Sequence, residues 1–155
     1  MMMNLCCDVL AALQGRTLVT AESCTGGGIG AALTAIAGSS KVYKGGIISY
    51  TNEVKEKQLN VPKELLDREG AVSASVAEAM AKGAREALSA DVAVSVTGLA
   101  GPDGDEYGNP VGTVFVGYAD ASKCIAKKFE FNGNREEIRN QAAIAALELV
   151  LEYNR

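Results

Sequence analysis

The residues with the clearest chemical potential lie in the segment T-A-E-S-C-T-G-G-G-I-G, residues 20–30. Ser23 and Cys24 are potential nucleophiles, and three glycines follow shortly after them. Three interpretations fit such a segment: a phosphate-binding turn, a nucleophile on a turn, or a tight connection between a strand and a helix. A glycine pattern within it matches the dinucleotide-binding fingerprint only weakly, because the acidic residue expected after the next strand is missing.

The absence of histidine restricts the acid–base chemistry that the chain can perform. Ser-His-Asp and Cys-His catalysis are both excluded within one chain. A serine hydroxyl is a weak nucleophile until a base takes its proton, so Lys, Tyr, Asp, Glu or Cys must supply that base. The four cysteines form no C-x-x-C pair, which disfavours a zinc site. We therefore expect neither a metal nor a cofactor.

Further polar residues follow the next two predicted strands. Tyr50 ends the second strand, and Lys55 comes about one helical turn later. Lys55 can point back towards Ser23, although a lysine among neighbouring charges usually lies on a solvated helix face. Thr97 ends the third strand and precedes the Gly-rich loop 98–110. Ligands bind at the carboxyl ends of strands in open α/β sheets, and long loops in compact domains are often functional.

Arg135 is the last candidate, in the first turn of a predicted C-terminal helix. A cation at this end of a helix opposes the helix dipole, which suggests a ligand anion nearby. A surface salt bridge with Glu136 or Glu137 is the commoner outcome. Cys24 is a rival nucleophile, since a helix start lowers the pKa of a thiol, but a buried and inert thiol is more frequent.

Hydrophobic periodicity predicts the elements that position these residues. Apolar residues at helical spacing predict helices over 4–14, from Thr25 to Gly38, after Thr51 or Asn52, and over 61–66, 74–89 and 135–152. β-branched and apolar runs predict strands over 17–21, 45–50, 91–97, 111–119 and 123–131. The early alternation implies parallel pairing, and a hairpin between the last two strands makes one strand antiparallel. We therefore predict an α/β fold, a three-layer α/β/α domain with a mixed, mostly parallel five-stranded sheet.

Length and composition predict one globular domain over residues 1–155. The chain is 48% hydrophobic and 22% charged, which argues against disorder. Its net charge of −4 and the lack of a basic stripe make nucleic acid an unexpected partner. No apolar run is long enough to span a membrane, and the first residues lack the basic start of a signal peptide. We expect a cytoplasmic protein without a membrane partner.

Six sequence blocks together resemble the CinA C-terminal domain family, named for competence/damage-inducible protein. The blocks are A-E-S-C-T-G-G, A-G-S-S, Y-T-N-E-V-K, G-A-V-S, T-G-L-A-G-P-D-G and P-V-G-T-V, at 21–27, 37–40, 50–55, 70–73, 97–104 and 110–114. They occur in order, and the resemblance extends from about residue 5 to 152. It implies the same three-layer mixed sheet, a domain without the family's larger N-terminal domain, and frequent homodimers.

The resemblance also implies an activity, because the family includes nicotinamide mononucleotide amidases. These release ammonia and nicotinate mononucleotide in pyridine nucleotide salvage. By their positions in the matching blocks, Ser23 is the nucleophile, Lys55 is its base and Tyr50 assists. Thr97 and Arg135 match positions implicated in substrate binding. Ser-Lys catalysis suits a chain without histidine, provided that the pKa of Lys55 is lowered towards neutrality.

Residues around the matched positions complete this scheme. The backbone N–H groups that follow the nucleophile can stabilise a tetrahedral oxyanion, and they belong to Cys24, Thr25 and Gly26. Arg135 would bind the phosphate of a nucleotide substrate, together with Ser39 or Ser40. If the loop covers the site, Asp105 and Glu106 would lower the affinity for an anionic nucleotide.

Two alternatives stay open at this point. The chain can be a non-catalytic module that binds a nucleotide or a partner, linked to competence or DNA damage. It can also hydrolyse a different amide. Turnover and competition among amides distinguish these alternatives from the first interpretation.

Overall fold

The computed structural model describes residues 1–155 as a five-stranded sheet between two layers of helices. The helices are α1 (Met2–Ala12), α2 (Gly28–Thr34), α3 (Asn52–Leu59), α4 (Lys63–Glu69), α5 (Ala74–Ala87) and α6 (Arg135–Glu152), with a short 3-10 helix at Ser39–Lys41. The strands are β1 (Leu18–Glu22), β2 (Tyr43–Ile48), β3 (Val92–Gly98), β4 (Thr113–Ala119) and β5 (Cys124–Glu130). The predicted three-layer α/β/α fold is confirmed.

The sheet has the strand order β2-β1-β3-β4-β5. β1 pairs in parallel with both β2 and β3, whereas β4 is antiparallel to both of its neighbours. Four strands therefore share one direction and β4 alone runs against them, as the sequence predicted. β1 is buried along its whole length, which agrees with its apolar and β-branched composition.

Each face of the sheet carries its own hydrophobic core. One core packs α1, α2 and α6 against the sheet, and the other packs α3, α4 and α5 against the opposite face. α6 begins with a capping box, in which the Asn134 side chain accepts from the Glu137 N–H and the Glu137 side chain accepts from the Asn134 N–H. No helix combines the length and the apolar character needed to cross a bilayer.

The element boundaries differ from the predicted ones where glycine changes the backbone. The helix predicted from Thr25 begins only at Gly28, because Gly26 and Gly27 adopt φ values of 59° and 98° and form a turn. The strand predicted from residue 111 begins at Thr113, after Gly112 at φ 94°. Neither conformation continues a regular helix or strand.

The parallel pairing brings three chain segments to one edge of the sheet. Glu22, the last residue of β1, pairs with Ile48 at the end of β2 and with Val96 near the end of β3. The residues that follow these strand ends must therefore lie beside one another. They include Ser23, Tyr50 and Thr97, which the sequence predicted as catalytic or binding residues.

Candidate active site

A buried contact between Ser23 and Lys55 forms the centre of this edge. Lys55 Nζ lies 3.0 Å from Ser23 Oγ, and the two residues are 1% and 7% exposed. The Thr51 side chain accepts from the Val54 N–H and starts α3, which places Lys55 on the inner face of that helix. A lysine in a charged run usually lies on a solvated helix face, but Lys55 is buried.

Two backbone carbonyls fix the remaining geometry of the Lys55 amine. Nζ donates to the Ser49 carbonyl at 2.7 Å and approaches the Tyr50 carbonyl at 3.5 Å. A neutral amine has two N–H bonds and one lone pair. The ammonium form donates to Ser23 Oγ. When the amine is neutral and its two N–H bonds point at the carbonyls, its lone pair faces the Ser23 hydroxyl, which is the arrangement of a general base and its nucleophile.

The surroundings of this pair make Lys55 easier to deprotonate and Cys24 harder to deprotonate. Burial lowers the pKa of Lys55 to about 8, with a smaller opposing effect from the Cys24 thiol. Burial also raises the pKa of Cys24 to about 11, and the backbone N–H of Cys24 and the neighbouring cations only partly offset this. Lys55 is therefore suited to act as a base near neutral pH, whereas the Cys24 thiol is a poor nucleophile.

The loop after Ser23 leaves two adjacent N–H groups free. Gly26 N–H donates to the Ser23 carbonyl at 3.0 Å, so, contrary to expectation, it is not available to bind an oxyanion. The N–H groups of Cys24, Thr25 and Gly27 have no acceptor in another residue, and the first two directly follow Ser23. Free N–H groups beside a serine hydroxyl are suited to stabilise a developing oxyanion.

A cavity of about 260 Å³ opens beside the Ser23–Lys55 pair. It brings together six of the residues that the sequence marked, namely Ser23, Cys24, Tyr50, Lys55, Thr97 and Arg135. The Thr97 hydroxyl donates to the Ala71 carbonyl at 2.8 Å, which leaves it free only to accept a hydrogen bond from a ligand. A larger groove between α1, β5 and α6 lacks a nucleophile paired with a base.

Arg135 bridges two segments at the mouth of this cavity. Its guanidinium donates to the Gly101 carbonyl and, at 3.0 Å, to the Tyr50 hydroxyl. It forms no ion pair, and Glu137 instead belongs to the helix cap, so the expected surface salt bridge is wrong. An unpaired guanidinium at a cavity mouth is suited to bind an anionic ligand.

Tyr50 lies beside the pair but does not touch it with its hydroxyl. The side chain is 57% exposed, and its hydroxyl contacts Arg135 rather than Ser23 or Lys55. Only its backbone carbonyl approaches the lysine amine. The geometry therefore connects the Tyr50 side chain with the cavity mouth more directly than with the Ser23 proton.

Four predicted binding residues lie outside the cavity, and one of them is Gly26, whose N–H donates to the Ser23 carbonyl. The Thr25 hydroxyl is buried and donates to Glu22 at 2.7 Å, so only its backbone N–H is available. Ser39 and Ser40 precede β2, whose first residue pairs with Leu18 at the start of β1. Because Ser23 follows the other end of β1, these serines lie at the opposite edge of the sheet. Contrary to expectation, they do not share a cavity with Arg135 within one chain.

The acidic loop 98–110 is folded mostly on itself. The Asp105 carboxylate accepts from the Tyr107 and Asn109 N–H groups and from the Asn109 side chain at 2.9–3.0 Å. The Tyr107 hydroxyl donates to the Asp67 carbonyl and holds the loop against α4. Asp103 is the only acidic residue at the cavity, so the loop does not place Asp105 or Glu106 at the site.

Sequence reasoning did not identify Glu22, Ser49 or Arg139 as contributors to this site. Ser49 contributes through its carbonyl, which no sequence pattern reveals. Glu22 and Arg139 left a detectable signal. Glu22 is an acidic residue at the end of a buried strand, and Arg139 lies four residues after Arg135 and thus on the same helix face.

Comparison with known proteins identifies relatives over nearly the whole chain. The model of the CinA C-terminal domain matches residues 3–154. A nicotinamide-nucleotide amidohydrolase, PncC, of Pseudomonas putida is 47% identical over 135 residues, which cover 87% of this chain and 84% of that protein. A CinA-like protein of Citrifermentans bemidjiense is 49% identical over 90% of this chain. The chain spans about a third of the length of that longer relative, 34%.

Solved structures of similar proteins have the same fold. A CinA superfamily protein of Escherichia coli is 36% identical, with a TM-score of 0.96 and coverage of 99% of this chain and 90% of that one. The competence/damage inducible protein CihA of Agrobacterium tumefaciens is 38% identical, with a TM-score of 0.95 and coverage of 99% and 96%. The chain therefore belongs to the CinA C-terminal domain family.

Proposed function

We propose that this protein hydrolyses the carboxamide of nicotinamide mononucleotide to nicotinate mononucleotide and ammonia. The observation that carries the proposal is the buried contact of 3.0 Å between Lys55 Nζ and Ser23 Oγ in a chain without histidine. The similarity to the nicotinamide-nucleotide amidohydrolase of Pseudomonas putida supports the choice of substrate. Such a reaction serves the salvage of pyridine nucleotides.

The first half of the reaction transfers the acyl group to the enzyme. Ser23 Oγ attacks the carboxamide carbon while its proton passes to Lys55 Nζ. The N–H groups of Cys24 and Thr25 stabilise the resulting oxyanion. The lysine ammonium then returns a proton to the amide nitrogen, the C–N bond breaks and ammonia leaves. This step produces a nicotinoyl ester on Ser23.

The second half hydrolyses this ester. A water molecule loses its proton to the neutral Lys55 and attacks the ester carbon. The tetrahedral intermediate again directs its oxyanion to the Cys24 and Thr25 N–H groups. When the intermediate collapses, the Lys55 ammonium protonates the departing Ser23 oxygen, which releases nicotinate mononucleotide and restores the free enzyme.

Residues at the cavity mouth account for the preference for a nucleotide. Arg135 has no carboxylate partner, so its guanidinium is available to pair with a phosphate. Tyr50 holds that guanidinium through its hydroxyl, and Thr97 offers an acceptor to the substrate. In this scheme Tyr50 acts with Arg135 in binding the substrate, rather than in transferring the Ser23 proton.

Ammonia release by the purified protein tests the proposal. Nicotinamide mononucleotide is compared with nicotinamide riboside, which lacks the phosphate, and with nicotinamide. We expect equal amounts of ammonia and nicotinate mononucleotide, with kcat/KM highest for the nucleotide. Preferred hydrolysis of another amide would redirect the proposal to that substrate. Binding of the nucleotide without ammonia release would instead indicate a non-catalytic binding module.

The pH dependence of kcat/KM is expected to follow the protonation of Lys55. Only the neutral amine accepts the Ser23 proton, and its pKa is about 8. Because the active fraction falls tenfold per unit below this pKa, kcat/KM at pH 6 should be roughly 100-fold below its plateau above pH 9. Ammonia release measured from pH 6 to 10 at constant ionic strength checks this. A flat profile over that range would exclude a titrating lysine base.

A further inference from the structure

The loop that carries Ser23 is held on one side by a buried carboxylate. Glu22 is 2% exposed and accepts hydrogen bonds from the Ile29 and Gly30 N–H groups at 2.9 and 3.0 Å. It also accepts from the Thr25 hydroxyl at 2.7 Å. The Ile29 and Gly30 N–H groups, which have no acceptor within α2, therefore donate to a side chain of the same chain.

A guanidinium holds the same loop through its carbonyl groups. Arg139 Nε donates to the Cys24 carbonyl at 3.0 Å, and Arg139 Nη2 donates to the Thr25 carbonyl at 3.1 Å. Arg139 forms no ion pair with any carboxylate. Its only polar contacts are thus with the two residues that directly follow Ser23.

These contacts determine the direction of the free N–H groups. In a trans peptide unit the N–H points opposite to the C=O. Because Arg139 draws the Cys24 carbonyl towards α6, the N–H of Thr25 must point away from α6. Arg139 acts on the Cys24 N–H through one further step. The Thr25 carbonyl that it holds shares a peptide unit with the Gly26 N–H, and that N–H donates to the Ser23 carbonyl and so fixes the Cys24 N–H.

We propose that Arg139 is a positioning residue that sets the orientation of the Cys24 and Thr25 N–H groups, with Glu22 as its opposing anchor. The inference rests on the proposed amide hydrolysis. Donors stabilise an oxyanion strongly only when they are fixed before the charge develops. Arg139 fixes these donors from outside the cavity, without touching the substrate.

Three variants test this role. Arg139→Met removes the donors but keeps the length of the side chain, and Arg139→Lys keeps the charge without the paired geometry. Arg85→Met is the matched control, because Arg85 Nε also donates to a backbone carbonyl, that of Asp91, at 3.0 Å and away from the site. Melting temperatures establish that all three proteins are folded.

The decisive readout is affinity for pyridine-3-boronic acid. Its boron accepts the Ser23 oxygen, whose proton passes to Lys55, and forms a tetrahedral anion that imitates the oxyanion intermediate. Affinity for nicotinate mononucleotide is measured alongside, because the planar carboxylate of this product does not imitate the tetrahedral oxyanion. Both ligands are titrated against wild-type protein and each variant.

We expect Arg139→Met to lower kcat by roughly 10- to 100-fold with little change in KM, since losing an oxyanion donor outright costs about 10²–10³-fold. Affinity for the boronic acid should fall by the same factor, while product affinity should fall much less. Arg139→Lys should recover part of the loss, and Arg85→Met should resemble wild type.

Other outcomes overturn the inference. Equal losses in Arg139→Met and Arg85→Met would indicate general destabilisation. Lower product affinity with unchanged boronic acid affinity would make Arg139 a phosphate ligand instead. If wild-type protein releases no ammonia from nicotinamide mononucleotide, the proposed substrate fails separately. The boronic acid comparison still decides whether Arg139 orients the loop.

Discussion

Replacing Ser23 by alanine is expected to lower kcat for ammonia release by about 10⁴-fold or more, as for the nucleophile of other serine hydrolases. The variant cannot form the nicotinoyl ester, and Lys55 then has no hydroxyl to deprotonate. Arg135, Thr97 and the free loop N–H groups are unchanged, so affinity for nicotinate mononucleotide should persist. Ammonia release and product binding, measured on the same preparation, check both parts.

Cys24→Ala is the matched control for this prediction. Cys24 is adjacent to Ser23 and equally buried, but its thiol has a pKa of about 11 and is protonated at neutral pH. The substitution leaves the backbone N–H in place, so most of the activity should remain. Loss of ammonia release in Cys24→Ala together with an active Ser23→Ala protein would reverse the assignment of the nucleophile.

The placement of the site could be predicted because it depends on the backbone. Apolar and β-branched runs determine where β1, β2 and β3 lie, and parallel pairing brings their carboxyl ends together. Ser23, Tyr50 and Thr97 each follow from this reasoning. The sequence therefore predicts which edge of the sheet carries the candidate site, although glycine turns shift the individual boundaries.

The burial of Lys55 could not be predicted from its sequence neighbours. Three charged residues in a row normally face solvent, and only the packing of α3 against the sheet directs this one inwards. The free N–H groups after Ser23 could not be predicted either, because they depend on which carbonyls accept from Gly26 and Gly28. Such details arise from tertiary contacts rather than from residue type.

Motif membership alone also assigned a role to residues that the fold separates. Ser39 and Ser40 belong to a matching block, yet they lie near the start of β1, whereas Ser23 follows the end of β1. A matching sequence block shows similarity to a family but gives no distances. Only the sheet register shows that these two residues lie away from the site. The homodimer and the cytoplasmic location likewise stay predictions, since neither depends on contacts within one chain.

Lys55→Met is expected to lower kcat by about 10⁴-fold, since the nucleophile and its base act as one unit. The same substitution should change the pH dependence of stability. The pKa of Lys55 is about 8 in the folded protein and 10.5 in an ordinary environment. Between these values the unfolded chain binds more protons, so this group makes wild-type stability rise with pH. Below pH 8 both states are protonated and the full cost of burying the charge is present.

Urea unfolding at pH 7 and pH 10 measures this effect. Relative to Lys55→Met, wild-type protein should gain about 2 kcal/mol of unfolding free energy between the two values. Lys57→Met is the matched control, because Lys57 lies on the same helix but is largely exposed and pairs with Glu53. That variant should keep both the activity and the wild-type pH dependence. If Lys55→Met is inactive but shows the same pH dependence as wild type, Lys55 does not carry a lowered pKa. The Lys55 amine must then lose its proton only when the bound substrate excludes water from it, rather than through burial in the free protein.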